Sequence, residues 1–553
     1  MGQVSRLCAS WFVALFSASV VVCPCWSQWQ GELDGLNAPL LGGNSNDRFG
    51  ESIVWAPDYV AVGAPRYDYW PPLQTIRTNS GVIHIYKPIG SLGRYTHETS
   101  LIVGDVRAND QFGSAIVGDN GWLVVGSPGR NGGPGGVGLP QSGAAHVLRR
   151  SPGGGGGPDN WALMGQELVH RSPKAIDLFG SSVAIDSRHG FPVTVAVGAP
   201  TDDAPSVDCG SVTIFELDSQ GNFVDKALIG SPILPGMSSL SAQSGLFGGT
   251  VALHGDVLVV GAKRRTLTVD KQGLVFVFER NLPDGTPVIL PTAQSPQPTW
   301  GPWKLRQVLT RVGQAVANEE FGSSMHLTGS RLFVGAPGGA LSPGSASAFE
   351  RVSNSSVWPL FAPLQILQHP FPVVGELFGS SVRMYGDAFF VGVPGFDAGL
   401  PPNELGSRGV VYQFSRLVGC SDWELGLTIH PFGSDTTSDP AVDCFVENAQ
   451  FGSCLDVGNG LVFVGAPGAN NTQITQGVVM VYAGVDGTCL GDFNGDLEVG
   501  GLDLGYLIER WGGSLPSDAR VDLDNNKAVD GSDLTILLSS WGPCNCDPVP
   551  GNP

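Results

Sequence analysis

Residues 112–128 read FGSAIVGDNGWLVVGSP, and variants of this stretch recur along the chain. Each copy opens with Phe-Gly, continues as an apolar segment and ends with Val-Gly-Ala-Pro or a close relative. The repeats begin at Phe49, Phe112, Phe179, Phe247, Phe321, Phe378 and Phe451, and their end motifs begin at Val62, Val125, Val197, Val260, Val334, Val391 and Val464. The distance from Phe to Val is 13 residues in six repeats and 18 in the third. This regularity predicts one structural unit used seven times in succession.

Each repeat has the pattern of a β-hairpin followed by two more strands. Tight turns such as residues 119–121 (Asp-Asn-Gly) and 255–256 (Gly-Asp) carry the residues that supply positive φ in hairpins. A third strand opens on Gly, as in residues 81–86, and a more polar fourth strand often carries Trp and Leu, as at Trp161 and Leu168. Four antiparallel strands in each of seven repeats predict a mainly β protein, a seven-bladed β-propeller.

The fourth strand of the last repeat is missing from the C-terminal side, because the chain changes character soon after Tyr482. A candidate for this missing strand lies near the N-terminus. Residues 29–36 precede Phe49 by the spacing that separates Trp161 from Phe179, to within two residues. We therefore expect the N-terminal strand to complete the seventh blade and close the ring, which removes two exposed sheet edges.

These motifs resemble the FG-GAP repeat of integrin α chains and of many bacterial secreted proteins, over about residues 28–487. Integrin-type repeats often hold Ca²⁺ in an Asp-rich loop between the first two strands. Here that loop has two or three residues in six repeats, and the longer third one, residues 186–190, offers a single carboxylate. Because Ca²⁺ takes six or more oxygen ligands, we do not expect calcium in the propeller.

Composition supports a β-rich, acidic protein. The chain has 553 residues, with 79 Gly and 41 Pro, and only 14% of residues are charged. This composition is unfavourable for long solvated helices and coiled coils. A net charge of −20 repels nucleic acid and anionic lipid, so divalent cations are the natural small partners.

The first 27 residues have the pattern of a secretory signal peptide. Arg6 supplies the positive start, residues 9–22 form an apolar core, and residues 25–27 offer a cleavage site. The apolar run is short for a membrane span, although an uncut anchor is the alternative. We expect a secreted or cell-surface protein, with no membrane span after the signal is removed.

The C-terminal residues 488–546 form a second module with a duplicated loop, followed by a tail over 547–553. Matched residues lie 30 positions apart, and the oxygens of each loop fall at positions 1, 3, 5 and 12, the spacing of an EF-hand loop. Position 7 adds a main-chain carbonyl. The predicted ligands are Asp492, Asn494, Asp496, Glu498 and Asp503 in the first loop, and Asp522, Asp524, Asn526, Ala528 and Asp533 in the second. A short amphipathic helix is expected after each loop.

A duplicated loop–helix unit with Asp at position 12 resembles a type I dockerin. The resemblance implies two bound Ca²⁺ ions and docking onto a cohesin-like protein module. Position 6, normally Gly, is Leu497 or Lys527, and the usual partner-reading pair at positions 10 and 11 is Gly501-Leu502 or Gly531-Ser532. The family's partner code therefore does not transfer. The alternative is a calcium-stabilised structural module without a protein partner.

Cysteines flank the C-terminal module. Cys489 precedes the first loop and Cys544 follows the second helix, so a disulfide between them would clasp its ends. Cys546 competes for the same partner, and Cys420 with Cys444 is a weaker pair. We expect Cys454 to be a buried free thiol.

No catalytic signature of the hydrolase, metalloprotease or P-loop type occurs in the sequence. The expected function is therefore a monomeric, non-catalytic binding or scaffold protein, with a polysaccharide or a cell-surface protein as its ligand. One alternative is a polysaccharide-acting enzyme or enzyme subunit with loop carboxylates such as Asp202 and Asp203. It would be favoured by two carboxylates about 5–10 Å apart in the central cleft. A cell-surface adhesion protein is the other alternative.

Overall fold

A computed structural model describes much of the chain. The described residues are 32–37, 46–70, 75–89, 94–132, 138–153, 158–188, 192–203, 207–234, 243–280, 288–289, 294–295, 299–338, 342–354, 357–369, 373–396, 407–415, 422–431, 448–458, 460–469, 476–483, 498–509, 511–512, 529–539 and 541–543.

Seven antiparallel sheets follow one another along the chain and are numbered here as blades 1 to 7. Blade 1 contains β2 (Ser52–Ala56), β3 (Tyr59–Ala64), β4 (Val82–Ile89) and β5 (Arg94–Leu101). Blade 2 contains β6 (Ala115–Asp119), β7 (Trp122–Ser127), β8 (Ala144–Ser151) and β9 (Asn160–Leu163). Blade 3 contains β10 (Ser182–Asp186), β11 (Thr194–Ala199), β12 (Ser211–Leu217) and β13 (Phe223–Gly230).

The remaining blades repeat this order. Blade 4 contains β14 (Phe247–His254), β15 (Val257–Ala262), β16 (Leu274–Arg280) and β20 (Trp303–Leu309), with the short β17 (Val288–Ile289), β18 (Gln294–Ser295) and β19 (Thr299–Trp300) at its edge. Blade 5 contains β21 (Ser324–Leu327), β22 (Arg331–Ala336), β23 (Ser345–Asn354) and β24 (Val357–Leu367). Blade 6 contains β25 (Ser381–Tyr385), β26 (Ala388–Val393), β27 (Val410–Ser415) and β28 (Glu424–Ile429). Blade 7 contains β29 (Cys454–Gly458), β30 (Leu461–Ala466), β31 (Val478–Ala483) and β1 (Glu32–Asn37).

The N-terminal strand closes the ring as the sequence predicts. Strand β1 runs antiparallel to β31, with Leu36 opposite Val479 and Asn37 opposite Val478. The first strands of neighbouring blades also contact one another in an unbroken circle, including β29 of blade 7 against β2 of blade 1. The chain is therefore a closed seven-bladed propeller.

The Phe-Gly pair of each repeat joins one blade to the next. All seven Phe side chains are fully buried. Gly180 has a φ of +91°, and a Cβ at this position would lie 2.2 Å from the Ala144 carbonyl oxygen of the preceding blade. Only glycine allows the backbones to approach this closely, which explains why the pair recurs.

A hydroxyl three residues after the Phe adds a second joint. Ser52, Ser182, Thr250, Ser324 and Ser381 each donate to the carbonyl of the Phe-Gly glycine in the following repeat, at 2.6–2.8 Å. Cys454 occupies this position in blade 7 as a free thiol, as predicted, although it is partly rather than fully buried, and desolvation raises its pKa to about 11.

The hairpin turns follow the sequence prediction with one exception. Asn120, Gly121 and Gly255 have positive φ values. In blade 5 neither Gly329 nor Ser330 does. The turn there is longer, and the Thr328 amide closes it by donating to the Arg331 carbonyl at 2.8 Å.

Beyond the propeller, the structure describes two short helices and a two-stranded ladder. Strand β32 (Glu498–Val499) pairs with β33 (Gly542–Pro543), and helices α1 (Gly501–Glu509) and α2 (Gly531–Ser539) lie between them in sequence.

Candidate functional site

The C-terminal helices share a small core built from the duplicated positions. Val499, Leu507, Val529 and Leu537 are each fully buried and form one cluster, and Leu504, Leu534 and Ile536 pack against it. Val529 and Leu537 lie 30 residues after Val499 and Leu507, so the sequence duplication is also a duplication of packing.

The last carboxylate of each predicted loop lies in the first turn of a helix. Asp503 and Asp533 are fully buried. Asp503 Oδ2 accepts the Gly500 amide at 2.8 Å, and Asp533 Oδ2 accepts the Asp530 amide at the same distance. Each contact satisfies a main-chain donor at a helix N-terminus, where negative charge is also favoured. The two loops therefore end in the same geometry.

The other predicted ligands lie mostly outside the described residues. These are Asp492, Asn494, Asp496, Asp522, Asp524, Asn526 and Ala528. Glu498 is described through its backbone, which lies in β32 opposite Pro543. The predicted clasp of Cys489 with Cys544 also lies outside the described residues.

The outer surface of the helical pair is apolar at matched positions. Ile508 is 54% exposed and Trp511 47%, and their counterparts Leu538 and Trp541 are 51% and 48% exposed. The helical period places Ile508 and Trp511 on the same face as Leu507, but Leu507 alone of these three is buried. The sequence pattern identified the apolar stripe without showing that half of it remains exposed.

The first-strand carboxylates of the propeller are engaged in contacts between blades. Asp119 Oδ2 accepts the Ser187 amide and Asp456 Oδ2 accepts the Trp55 amide, each at 2.7 Å. Asp186 accepts the Gly255 amide and pairs with Arg188. These carboxylates therefore form hydrogen bonds that connect neighbouring blades. The Asp186 carboxylate accepts hydrogen bonds from protein donors.

Burial raises the pKa of the Asp456 carboxyl, and the nearby Arg383 guanidinium opposes that shift. The Arg383 Nε atom lies 3.2 Å from Asp456 Oδ1. Because Asp456 bonds to blade 1 and faces blade 6, it links three consecutive blades across the point of ring closure.

The two loop carboxylates considered for catalysis lie in different environments. The Asp203 side chain is 44% exposed and lies 3.6 Å from Lys174 Nζ. The Asp202 side chain is only 2% exposed and faces His170, whose Nε2 atom is 3.4 Å from Asp202 Oδ2. They do not form one pair, and Asp202 belongs to a buried junction between blades 2 and 3.

Within the described part of the chain, neither helix has the length and apolar character of a membrane span.

No protein-family model and no curated protein matches the sequence. Among solved structures, Sqt1 of Saccharomyces cerevisiae is 11% identical with a TM-score of 0.40, covering 82% of this chain and 98% of its own. Sqt1 of Chaetomium thermophilum is 14% identical with a TM-score of 0.41, covering 82% of this chain and 89% of its own.

Proposed function

We propose that this chain is a secreted, non-catalytic binding protein, an FG-GAP-type propeller tethered by a dockerin-like module that requires calcium. The matched placement of Asp503 and Asp533 carries the calcium assignment. Both are buried carboxylates at the first turn of a helix, and both close a loop with the ligand spacing of an EF-hand.

Calcium binding would also contribute to the folding free energy of this module. Four apolar side chains are fully buried among the described residues of the module, and a module of about sixty residues has little apolar surface to bury. Each loop places three oxygen-bearing side chains within five positions and a fourth at position 12. The carboxylates among them repel one another without a cation, so binding energy supplies much of the folding energy.

The exposed apolar pairs favour a docking role for the module. Ile508 with Trp511 and Leu538 with Trp541 form two equivalent half-exposed patches, and exposed aromatic side chains are frequent anchors of protein interfaces. We assign this surface to a cohesin-like protein module with a complementary apolar face. The departures at positions 10 and 11 imply that its side chains differ from those of known cohesins.

The propeller would present the ligand-binding loops. Trp70 lies on the connection between β3 and β4 and is 71% exposed, which favours a glycan because sugars stack on exposed aromatic rings. Glycan-array binding by the full-length protein and by Trp70→Ala tests this assignment. Equal binding by both proteins would remove Trp70 from the ligand site.

Calorimetric titration of the full-length protein tests the calcium assignment. We expect two tight Ca²⁺ equivalents, and the double variant Asp503→Ala, Asp533→Ala should lose both. Asp530→Gly is the matched control, since the first loop already has Gly500 at that position, and it should retain both. Equal calcium binding by the wild type and the double variant would contradict the assignment.

A further inference from the structure

The junction between blades 2 and 3 contains a buried histidine and two buried carboxylates. His170, Asp177 and Asp202 are at most 3% exposed. One ligand atom from each of the three lies within 4.8 Å of the others. Ser211 is also fully buried, and its Oγ atom is 3.4 Å from His170 Nε2.

Among the described residues, the polar atoms around the His170 imidazole lie 3.4 Å or more from its nitrogens, beyond the ordinary hydrogen-bond distance. Asp202 Oδ2 is 3.4 Å from Nε2, and Asp177 Oδ2 is 3.9 Å from Nδ1. The Ser172 amide is 3.4 Å from Nδ1. Asp202 Oδ2 is buried and has no hydrogen-bond partner among the described residues. A direct salt bridge would draw these atoms to about 2.8 Å, so the spacing is too wide for one.

The equivalent positions of other repeats show that, among the described residues, the blade 3 junction lacks a cationic side chain next to its acids. In blade 2, Asp110 occupies the position of Asp177 and Arg130 that of Asp202, and their side chains pair at 2.7 Å. In blade 5, Glu319 occupies the acidic position and pairs with Arg311 at 2.5 Å. Around Asp177 and Asp202, in contrast, no side-chain nitrogen of a described Lys or Arg lies within 4 Å, and the Lys174 main-chain amide donates to Asp177 Oδ2 at 2.6 Å. Blade 3 therefore keeps the acid, replaces the cation by a second acid and buries both.

Blade 6 contains the closest internal counterpart. His369 and Glu376 repeat the spacing of His170 and Asp177, with 3.6 Å between Nδ1 and Oε2. Phe396 takes the place of Asp202 against the ring, and Tyr412 contacts His369 Nε2 at 2.6 Å. A protein hydroxyl satisfies the outer nitrogen there. In blade 3 the outer nitrogen faces an unpaired carboxylate oxygen and a serine hydroxyl.

We propose that His170, Asp177 and Asp202 bind a first-row transition-metal dication such as Zn²⁺ between blades 2 and 3. An imidazole nitrogen and carboxylate oxygens are ordinary zinc ligands, at about 2.0–2.2 Å from the metal. Two such ligands in a tetrahedral site are about 3.3–3.5 Å apart. The separations from Nε2 to Asp202 Oδ2 and to Ser211 Oγ, both 3.4 Å, fit that geometry, and Asp177 offers a carboxylate oxygen within 4.8 Å of the ligand atoms of His170 and Asp202. The dication would neutralise both carboxylates, as Arg130 neutralises Asp110 in blade 2.

Zinc titration of the full-length protein in millimolar Ca²⁺ tests the site with the C-terminal loops already supplied with calcium. We expect one Zn²⁺ equivalent that Asp202→Asn weakens by about 100-fold or more, since even outer-shell partners of a metal are worth 10–100-fold. Asp203→Asn and His369→Gln are matched controls and should retain it. With Co²⁺ the wild type should show the visible absorption of a tetrahedral ion, and Asp202→Asn should not.

Asp202→Arg provides a second and independent test. It rebuilds the Asp110–Arg130 pair within blade 3, so it should abolish the zinc equivalent while the metal-free protein melts no lower than the wild type. Circular dichroism establishes that each variant is folded. Equal zinc binding by the wild type, Asp202→Asn and Asp202→Arg would overturn the proposal, as would an equal loss in the two control variants.

Discussion

The propeller and the C-terminal helical pair use repetition for different purposes. In the propeller each repeat packs against two neighbours, and Phe-Gly pairs and hydroxyl bridges join the blades. In the described residues of the C-terminal module, the two copies share four fully buried apolar side chains. Seven copies in a closed ring bury a continuous core, whereas two copies leave Ile508, Trp511, Leu538 and Trp541 exposed.

This difference indicates whether each region needs a bound ion for its stability. The propeller supplies its own core, and at two of its junctions it supplies its own cation, with Arg130 and Arg311 paired to acids. The described part of the C-terminal module has a small core, and we propose that the acidic loops of this module need a bound ion. We therefore expect the two regions to respond separately to truncation, calcium and acid.

Removing residues 28–37 should have the largest effect, and it should be confined to the propeller. Strand β1 completes blade 7, and its pairing with β31 includes five residue pairs. At about 1 kcal/mol for each hydrogen bond, the loss should cost about 3–5 kcal/mol of unfolding free energy. Chemical denaturation of the truncated protein measures it. Removal of residues 547–553 is the control, and equal destabilisation by both deletions would contradict ring closure by β1.

Removing calcium should unfold the C-terminal module and leave the propeller folded. In limited proteolysis of the full-length protein, chelator should expose cleavage sites within residues 488–546 while a fragment containing residues 46–483 persists. Asp503→Ala with Asp533→Ala should give the same pattern in the presence of Ca²⁺. Cleavage that begins in the blades would show that the regions are not independent in this way.

Acid should weaken the propeller between about pH 6.5 and pH 4 through its buried histidines. Burial lowers the pKa of His146 to about 4, with the nearby Arg130 adding to the shift. The unfolded chain therefore binds a proton there that the folded chain does not, so stability falls as the pH drops below about 6.5. Between pH 7 and pH 5 this single residue should cost about 2 kcal/mol.

Denaturation of the wild type and of His146→Leu at pH 7 and pH 5 tests this prediction. The stability difference between the two pH values should shrink by about 2 kcal/mol in the variant. The C-terminal module has no histidine, so its calcium binding should change little over the same range. An unchanged pH dependence in His146→Leu would contradict the assignment.

The predicted disulfide should have the smallest effect on the stability of the C-terminal module, because we propose that calcium already folds this module. Peptide mapping without reductant should recover a link from Cys489 to Cys544 or to Cys546. Free thiols at all three positions would contradict the predicted clasp.

The sequence was sufficient to predict the propeller, because the Phe-Gly and Val-Gly-Ala-Pro motifs reflect backbone approaches that only particular residues allow. The Gly180 contact with Ala144 is an example. The blade 3 junction was not predicted, because His170, Asp177 and Asp202 come from different segments and only the fold brings them together. Comparing the repeats column by column would have shown the signal, since Asp202 stands where Arg130 and Arg265 stand in blades 2 and 4. The exposure of Ile508 and Trp511 depends on how two short helices pack, which helical periodicity does not determine.

Hydrogen exchange of the full-length protein with and without Ca²⁺ tests the central claim most directly, because it reports on both regions in one sample. We predict that calcium slows exchange in residues 498–509 and 529–543 and leaves residues 46–483 nearly unchanged. The double variant Asp503→Ala, Asp533→Ala should show no calcium effect in either region. Calcium protection confined to the blades, with none in the two helices, would contradict the account.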